Sequence, residues 1–330
     1  MSTLQKLLVL AFVVTASFAG TVPHAAAADK PITLKMGFVD PESSNYAQGG
    51  ERVAKEVARL TDGKVQIEVL ASGQLGNERD MYEGAQIGSI DVCTIANAVM
   101  SSFIPEMAVL DQHFLFDSPE QAHTVIDGAL GKLIAKKAEE QGVHIVGWME
   151  SGFRNTFSKK PITKPEEFKG MKIRTMENRM QIAAFNAMGA IATPMAFGEQ
   201  FTALQQGTID GAENAVANVL ANRYYEVVKN ITWTNHLFTF IAVGMSDKAW
   251  NRIPDDLKPK VLEGFKIGCD YQRELLLKSN AEAVVELKKL GVTFHEIDRD
   301  ALKALVEPAM EPFRKDMNKE WLTVLEESKK

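Results

Sequence analysis

Two rhythms of apolar and polar positions alternate along most of this chain. Ile32, Leu34, Met36 and Phe38 alternate with Thr33, Lys35 and Gly37, the two-residue period of a β-strand. Gly50, Val53, Val57 and Leu60 then fall on one helical face, with Ser43 or Ser44 as the N-cap and Asp62-Gly63 as the closing turn. Val65, Ile67 and Val69 return to the strand period. A loop over Ser72-Gly73-Gln74-Leu75-Gly76, a helical stretch from Glu78 to Ile87 and an apolar strand from Asp91 to Ile95 follow. Strand, helix and strand with short connections predict an α/β fold, a parallel sheet flanked by helices. Such sheets hold ligands at the carboxyl ends of their strands, so the loops starting at Val39, Ala71 and Ala96 are expected to face one crevice. Asn97 and Glu150 also follow predicted strands.

A second α/β block is expected to begin near Gly152. It contains a strand over Lys172 to Arg174, helices from about Asn178 to Met188 and from Gly198 to Gln206, and strands near Ile231 and from Phe238 to Met245. Pro259 to Leu290 reads as one helix ended by Lys288, Lys289 and Gly291. At 1.5 Å per residue it runs roughly 45 Å, longer than one small domain is wide, so it is expected to brace two domains. No repeat, low-complexity tract or Gly/Ser-rich linker marks a tandem boundary. The expected arrangement is interleaved: residues 29–151 with about 240–275 form one lobe, and 152–239 with about 276–330 the other. The strands and the long helix that connect them would make the hinge.

The N-terminal residues change the picture of where the chain works. Lys6 precedes an apolar run from Leu7 to Ala19, followed by Ala25, Ala26, Ala27 and Ala28, the pattern of an export signal over residues 1–28 cleaved near Ala28. The run is about 13 residues, short of the roughly 20 that span a bilayer. No cysteine stands there to be acylated, so the mature chain is expected to be soluble in the periplasm. Losing Lys6 takes the formal charge from −6 to −7. Charges of both signs are interspersed, with no basic block of the kind that tracks phosphates, which argues against nucleic acid. Cys93 lies in an apolar strand and Cys269 in a helical pattern, so both are expected as buried free thiols, although a periplasmic disulfide is chemically open to them.

Motifs for chemistry are sparse. His113, His123, His144, His236 and His295 are scattered and form no HExxH pair, and there is no CxxC, G-x-S-x-G, phosphate loop or G-x-G-x-x-G after a strand. No metal site and no cofactor are expected. Asp298 and Asp300 lack the further oxygen ligands of a calcium loop and read as the cap and first turn of a helix.

The informative region is Gly152 to Asn214, where polar groups stand at element ends: Gly152-Phe153-Arg154, Gly170-Met171-Lys172-Ile173-Arg174 and Asp210-Gly211-Ala212-Glu213-Asn214. Arg174 closes a strand, where an open sheet presents side chains to a cleft, and the planar fork of guanidinium matches a carboxylate. A surface ion pair would satisfy the same position. Trp148, Phe153 and Phe197 lie near these groups in sequence, either walling a pocket or filling the core.

Gly170, Lys172, Arg174, Gly189, Pro194, Ala203-Leu204-Gln205, Gly207, Ile209-Asp210-Gly211 and Glu213-Asn214, with Gln74-Leu75-Gly76 and Arg154, resemble the solute-binding component of tripartite ATP-independent periplasmic (TRAP) transporters. The resemblance implies two α/β domains closing by a hinge on a small organic anion, and delivery to the transporter's integral membrane subunits. It implies that Arg174 pairs with the ligand carboxylate, that Asn214 contacts the same group and that Arg154 is a second basic residue at the ligand. Glu213 either accepts a ligand hydroxyl or holds an arginine in place. Asn97 and Glu150 are candidates for polar contacts from the first lobe. Ala215 stands where many members carry proline. Two other functions fit a cleft with arginine and glutamate: a periplasmic enzyme acting on organic acids, and a sensory ligand-binding protein.

Overall fold

The computed structural model describes residues 30–329; the export signal expected over 1–28 lies outside the described residues. Among the described residues nine strands build one sheet: β1 (Ile32–Gly37), β2 (Val65–Leu70), β3 (Val92–Ala96), β4 (Val143–Ser158), β5 (Lys172–Thr175), β6 (Ile191–Pro194), β7 (Gly211–Asn214), β8 (Asn230–Ser246) and β9 (Thr293–His295). Their order is β2-β1-β3-β8-β4-β7-β5-β6, with β9 paired to β8. β1 pairs in parallel with β2 and β3, and β5 in parallel with β6 and β7, so two parallel α/β halves flank an antiparallel centre.

That centre is the pair β4 and β8, of 16 and 17 residues. At about 3.3 Å per residue each runs roughly 50 Å and takes part in both halves. β3 lies along Ile241–Met245 at one end of β8, whereas β7 lies along Asn155–Ser158 at the far end of β4. The sequence reading placed a block boundary at Gly152 and two separate strands at Ile231 and Phe238–Met245. The structure instead runs one strand through each region. Register shifts beside Ile145, Glu150 and Arg154 interrupt the strict alternation that a strand reading relies on. Gly152 sits at one of these shifts with φ +70°, a left-handed value that glycine adopts at no steric cost.

The predicted long helix spans Lys258–Lys289, 32 residues or about 48 Å. It packs on the Asn45–Leu60 helix of the first half and on the Val216–Ala221 helix of the second. Close approach depends on small residues: a Cβ on Gly268 would lie 2.3 Å from Val53 Cγ2, and one on Gly264 2.6 Å from Val57 Cγ2. Val53, Val57, Val261 and Phe265 are fully buried along this seam. Each contributes on the order of 1.5–3 kcal/mol by burial.

The C-terminal helix, Lys319–Ser328, packs on the Ala129–Glu139 helix, so Trp321 and Leu325 join a core that also holds Leu130 and Ile134. Asp298 caps the Arg299–Asp316 helix by accepting from the Ala301 amide at 2.9 Å. Cys93 and Cys269 are buried free thiols, and burial pushes each up to about 12. Among the described residues no helix is long and apolar enough to cross a membrane.

Candidate functional site

β5 is a short strand whose last two residues, Arg174 and Thr175, are buried. Arg174 is 2% exposed; its Nε and Nη2 both donate to the Met195 carbonyl, at 3.1 and 2.8 Å, while Nη1 is buried with no acceptor among the described residues. Burial lowers the guanidinium pKa, yet arginine starts so high that it keeps its charge. A buried cation whose third nitrogen lacks an acceptor carries a large desolvation penalty, and an anion placed there offsets it.

β4 supplies the second guanidinium. Thr156 pairs with Glu213 across β4 and β7, so Arg154, two residues earlier, is a diagonal neighbour of Glu213. Arg154 Nε bonds Glu213 Oε2, and Nη2 donates to Glu213 Oε1 at 2.8 Å and to its carbonyl at 2.7 Å. Burial alone pushes the Glu213 carboxyl up; the Arg154 guanidinium and His236 overcome this and hold it at about 2. Behind the pair, His236 Nε2 lies 3.4 Å from Glu213 Oε2, and its ring stacks on His113 at 5.5 Å. Arg154 and Glu213 therefore neutralise each other, whereas among the described residues no acid is bonded to Arg174.

Asn214 ends β7. Its Oδ1 accepts from Ala215 N (2.8 Å), Asn218 Nδ2 (2.9 Å), Ser151 Oγ and Arg154 Nη1 (both 3.1 Å). With the oxygen saturated by donors, the amide orientation follows, and Nδ2 remains free to donate. The Ala215 amide is one a proline would lack.

Arg154, Arg174, Asn214 and Phe197 from the second half meet Val39, Asp40, Tyr46, Glu78 and Ala96 from the first around one cavity of about 30 Å³. Glu78, Arg174 and Phe197 also line an adjoining cleft of about 200 Å³. Three larger grooves, of about 710, 890 and 530 Å³, touch neither arginine. The small cavity is the candidate site because buried charge converges on it. The loops after Val39 and Ala96 reach it as the strand-end rule predicts, and the loop after β2 brings in Glu78.

Other sequence candidates lie elsewhere. Asn97 is fully buried, donates to Asp111 Oδ1 at 2.8 Å and accepts from the Phe240 amide at 2.9 Å, so both ends of its carboxamide hold the fold. Glu150 is inside β4 rather than after it; its carboxylate pairs with His123, and Gln272 brackets its backbone at 2.9 and 2.8 Å. Trp148 is buried against Phe240 and Phe153 packs on Phe238, so these rings are core. Glu213 stands behind the cavity as the partner of Arg154 rather than in its lining.

Asp40, Tyr46, Glu78 and Asn218 were not singled out from sequence. Asp40 lies in the loop after β1 and Glu78 opens the helix that follows the β2 loop, so element position was a usable signal. Burial pushes Asp40 up to about 7, and Asn222 Nδ2, donating at 3.1 Å, offsets part of this. Glu78 is also raised by burial, against the Ala96 amide donating to Oε1 at 2.7 Å. Among the described residues no cluster of three or more His, Cys, Asp or Glu is arranged to hold a metal.

Comparison with known proteins agrees with this geometry. Residues 36–320 match the family model described as bacterial extracellular solute-binding protein, family 7. A solute-binding protein from Verminephrobacter eiseniae is 30% identical over 296 residues, covering 89% of this chain and 88% of the relative. The crystal structure of a sugar acid binding protein from Advenella mimigardefordensis in complex with galactonate is 30% identical, with a TM-score of 0.88 over 91% of this chain and 98% of that one. A TRAP periplasmic solute-binding protein from Polaromonas bound to D-erythronate is 31% identical, with a TM-score of 0.86 over 89% of this chain and 98% of that one. The chain therefore belongs to family 7 of the bacterial extracellular solute-binding proteins, the TRAP solute-binding family.

Proposed function

We propose that this chain is a periplasmic receptor that captures a small organic acid by its carboxylate and presents it to TRAP membrane subunits. The observation that carries this reading is Arg174, which lines a cavity between the two halves and whose buried Nη1 has no acceptor among the described residues. A ligand carboxylate accepts from Arg174 Nη1 and from Asn214 Nδ2, while Arg154, locked and neutralised by Glu213, holds the wall of the cavity beside them. The galactonate and erythronate bound by the two structural relatives are carboxylates, which supports the same chemistry here. Family membership sets aside the enzyme reading raised by the sequence.

In this reading the halves are lobes that close on the ligand, with 29–151 and about 240–275 in one, 152–239 and most of 276–330 in the other, and the C-terminal helix docked on the first. The bend falls at the irregular middle of β4 near Gly152, and residues 1–28 direct export. Ligand contacts to both lobes favour the closed form, which the membrane subunits recognise.

A thermal-shift screen tests it. A ligand at a hundred times its Kd stabilises the folded protein by about 2.7 kcal/mol, so a cognate carboxylate raises Tm by several degrees and its amide or methyl ester does not. Equal shifts from acid and ester overturn the proposal.

A further inference from the structure

We infer that the site selects a polyhydroxy monocarboxylate and rejects dicarboxylates, with Asp40 and Glu78 as the residues that discriminate; this rests on the carboxylate reading above. The cavity has one guanidinium to which no acid is bonded among the described residues, Arg174, because Arg154 is already paired with Glu213. Facing the arginines from the first half are two acids, Asp40 and Glu78. Each uses one oxygen on a protein donor: Asp40 Oδ1 on Asn222 Nδ2 at 3.1 Å, Glu78 Oε1 on the Ala96 amide at 2.7 Å. Among the described residues no other residue donates to either carboxylate.

These groups dictate what the rest of the ligand must carry. One carboxylate balances Arg174. A second would sit in a cavity with little water beside Asp40 and Glu78, whose own ionisation burial already opposes. Like charges so placed repel strongly, whereas hydroxyl groups donate to the free carboxylate oxygens. Tyr46 stands beside them with its hydroxyl held by protein partners, Asn218 Nδ2 donating at 2.8 Å and the Ser151 hydroxyl alongside. An acid with bare carbons would leave these acceptors unmatched, which is how a polar pocket rejects an apolar analogue.

Calorimetry at pH 8, above the titration of Asp40, tests the inference with two sets of ligands of about three to six carbons: polyhydroxy monocarboxylates such as gluconate, and dicarboxylates such as succinate, with butyrate as the plain acid. The tightest polyhydroxy acid is expected to bind at least about tenfold more tightly than any dicarboxylate or butyrate. The double variant Asp40→Asn, Glu78→Gln, which keeps both side-chain shapes, is expected to narrow the gap to the dicarboxylates by about tenfold. A dicarboxylate that equals or beats every polyhydroxy acid, or a gap unchanged in a folded double variant, overturns the inference and leaves the carboxylate reading standing. Silence from every acid in the panel overturns both.

Discussion

Arg154 and Glu213 are 59 residues apart in sequence and meet as a buried ion pair, with Nη2 donating to Oε1 at 2.8 Å and to the Glu213 carbonyl at 2.7 Å. The pair explains why two arginines stand close together in one cavity: one is neutralised from behind, and the other keeps its charge for the ligand. Breaking such a pair by removing one member leaves a charge stranded in the interior, which costs about 3–5 kcal/mol. Glu213→Ala is therefore expected to lower the urea midpoint sharply. A change below about 1 kcal/mol would mean that Arg154 finds water or another acceptor.

The same pair sets an acid limit. Glu213 is held at about 2 against an ordinary 4.5, so its stabilisation is fully present above about pH 4.5 and is lost as pH falls through about 2. Asp40 has the opposite sign: raised to about 7 from 3.8, it takes stability away as pH rises from about 4 to about 7. Stability of Asp40→Asn relative to the parent is expected to increase across that second window and stay level above it. Urea titrations at a series of pH values read this directly, and a difference independent of pH would contradict the buried state of Asp40.

Gly268 tests the seam that ties the long helix to the first half. Replacing a helical glycine by alanine gains about 1 kcal/mol of helix propensity. Here a Cβ would lie 2.3 Å from Val53 Cγ2 and 2.6 Å from Val53 N, and the backbone nitrogen cannot swing aside. Overpacking of this kind costs typically 1–3 kcal/mol, enough to outweigh the propensity gain. Gly268→Ala is expected to lower Tm, and a rise would show that the seam is looser than its geometry.

The sequence carried the local pattern well and the long-range pairing poorly. The helix over 258–289 and the strands at Ile32, Val65 and Lys172 follow from short-range periodicity and capping residues such as Ser44 and Asp298, all of it readable within a few residues. β4 and β8 were not legible as single strands, because the shifts at Ile145, Glu150 and Arg154 break the alternation where the chain passes between halves. At the site, Arg174 and Asn214 stand out by residue type at strand ends. Asn97 and Glu150 share that position by sequence rule, yet Phe240, Asp111, His123 and Gln272 absorb their polar groups. Those partners are 14 to 143 residues away, so no local pattern reveals them. Asp40 and Glu78 matter through what faces them across the cavity, and that is a property of the folded chain.

The most direct measurement is calorimetric titration of Arg174→Ala and the parent protein with the tightest acid found by thermal shift, after melting curves establish that the variant is folded. Truncating one partner of a buried charge pair costs about 2–5 kcal/mol, so the variant is expected to bind roughly thirtyfold to several thousandfold more weakly. Unchanged affinity in a folded variant would contradict the assignment of Arg174 as the anchor for the ligand's carboxylate.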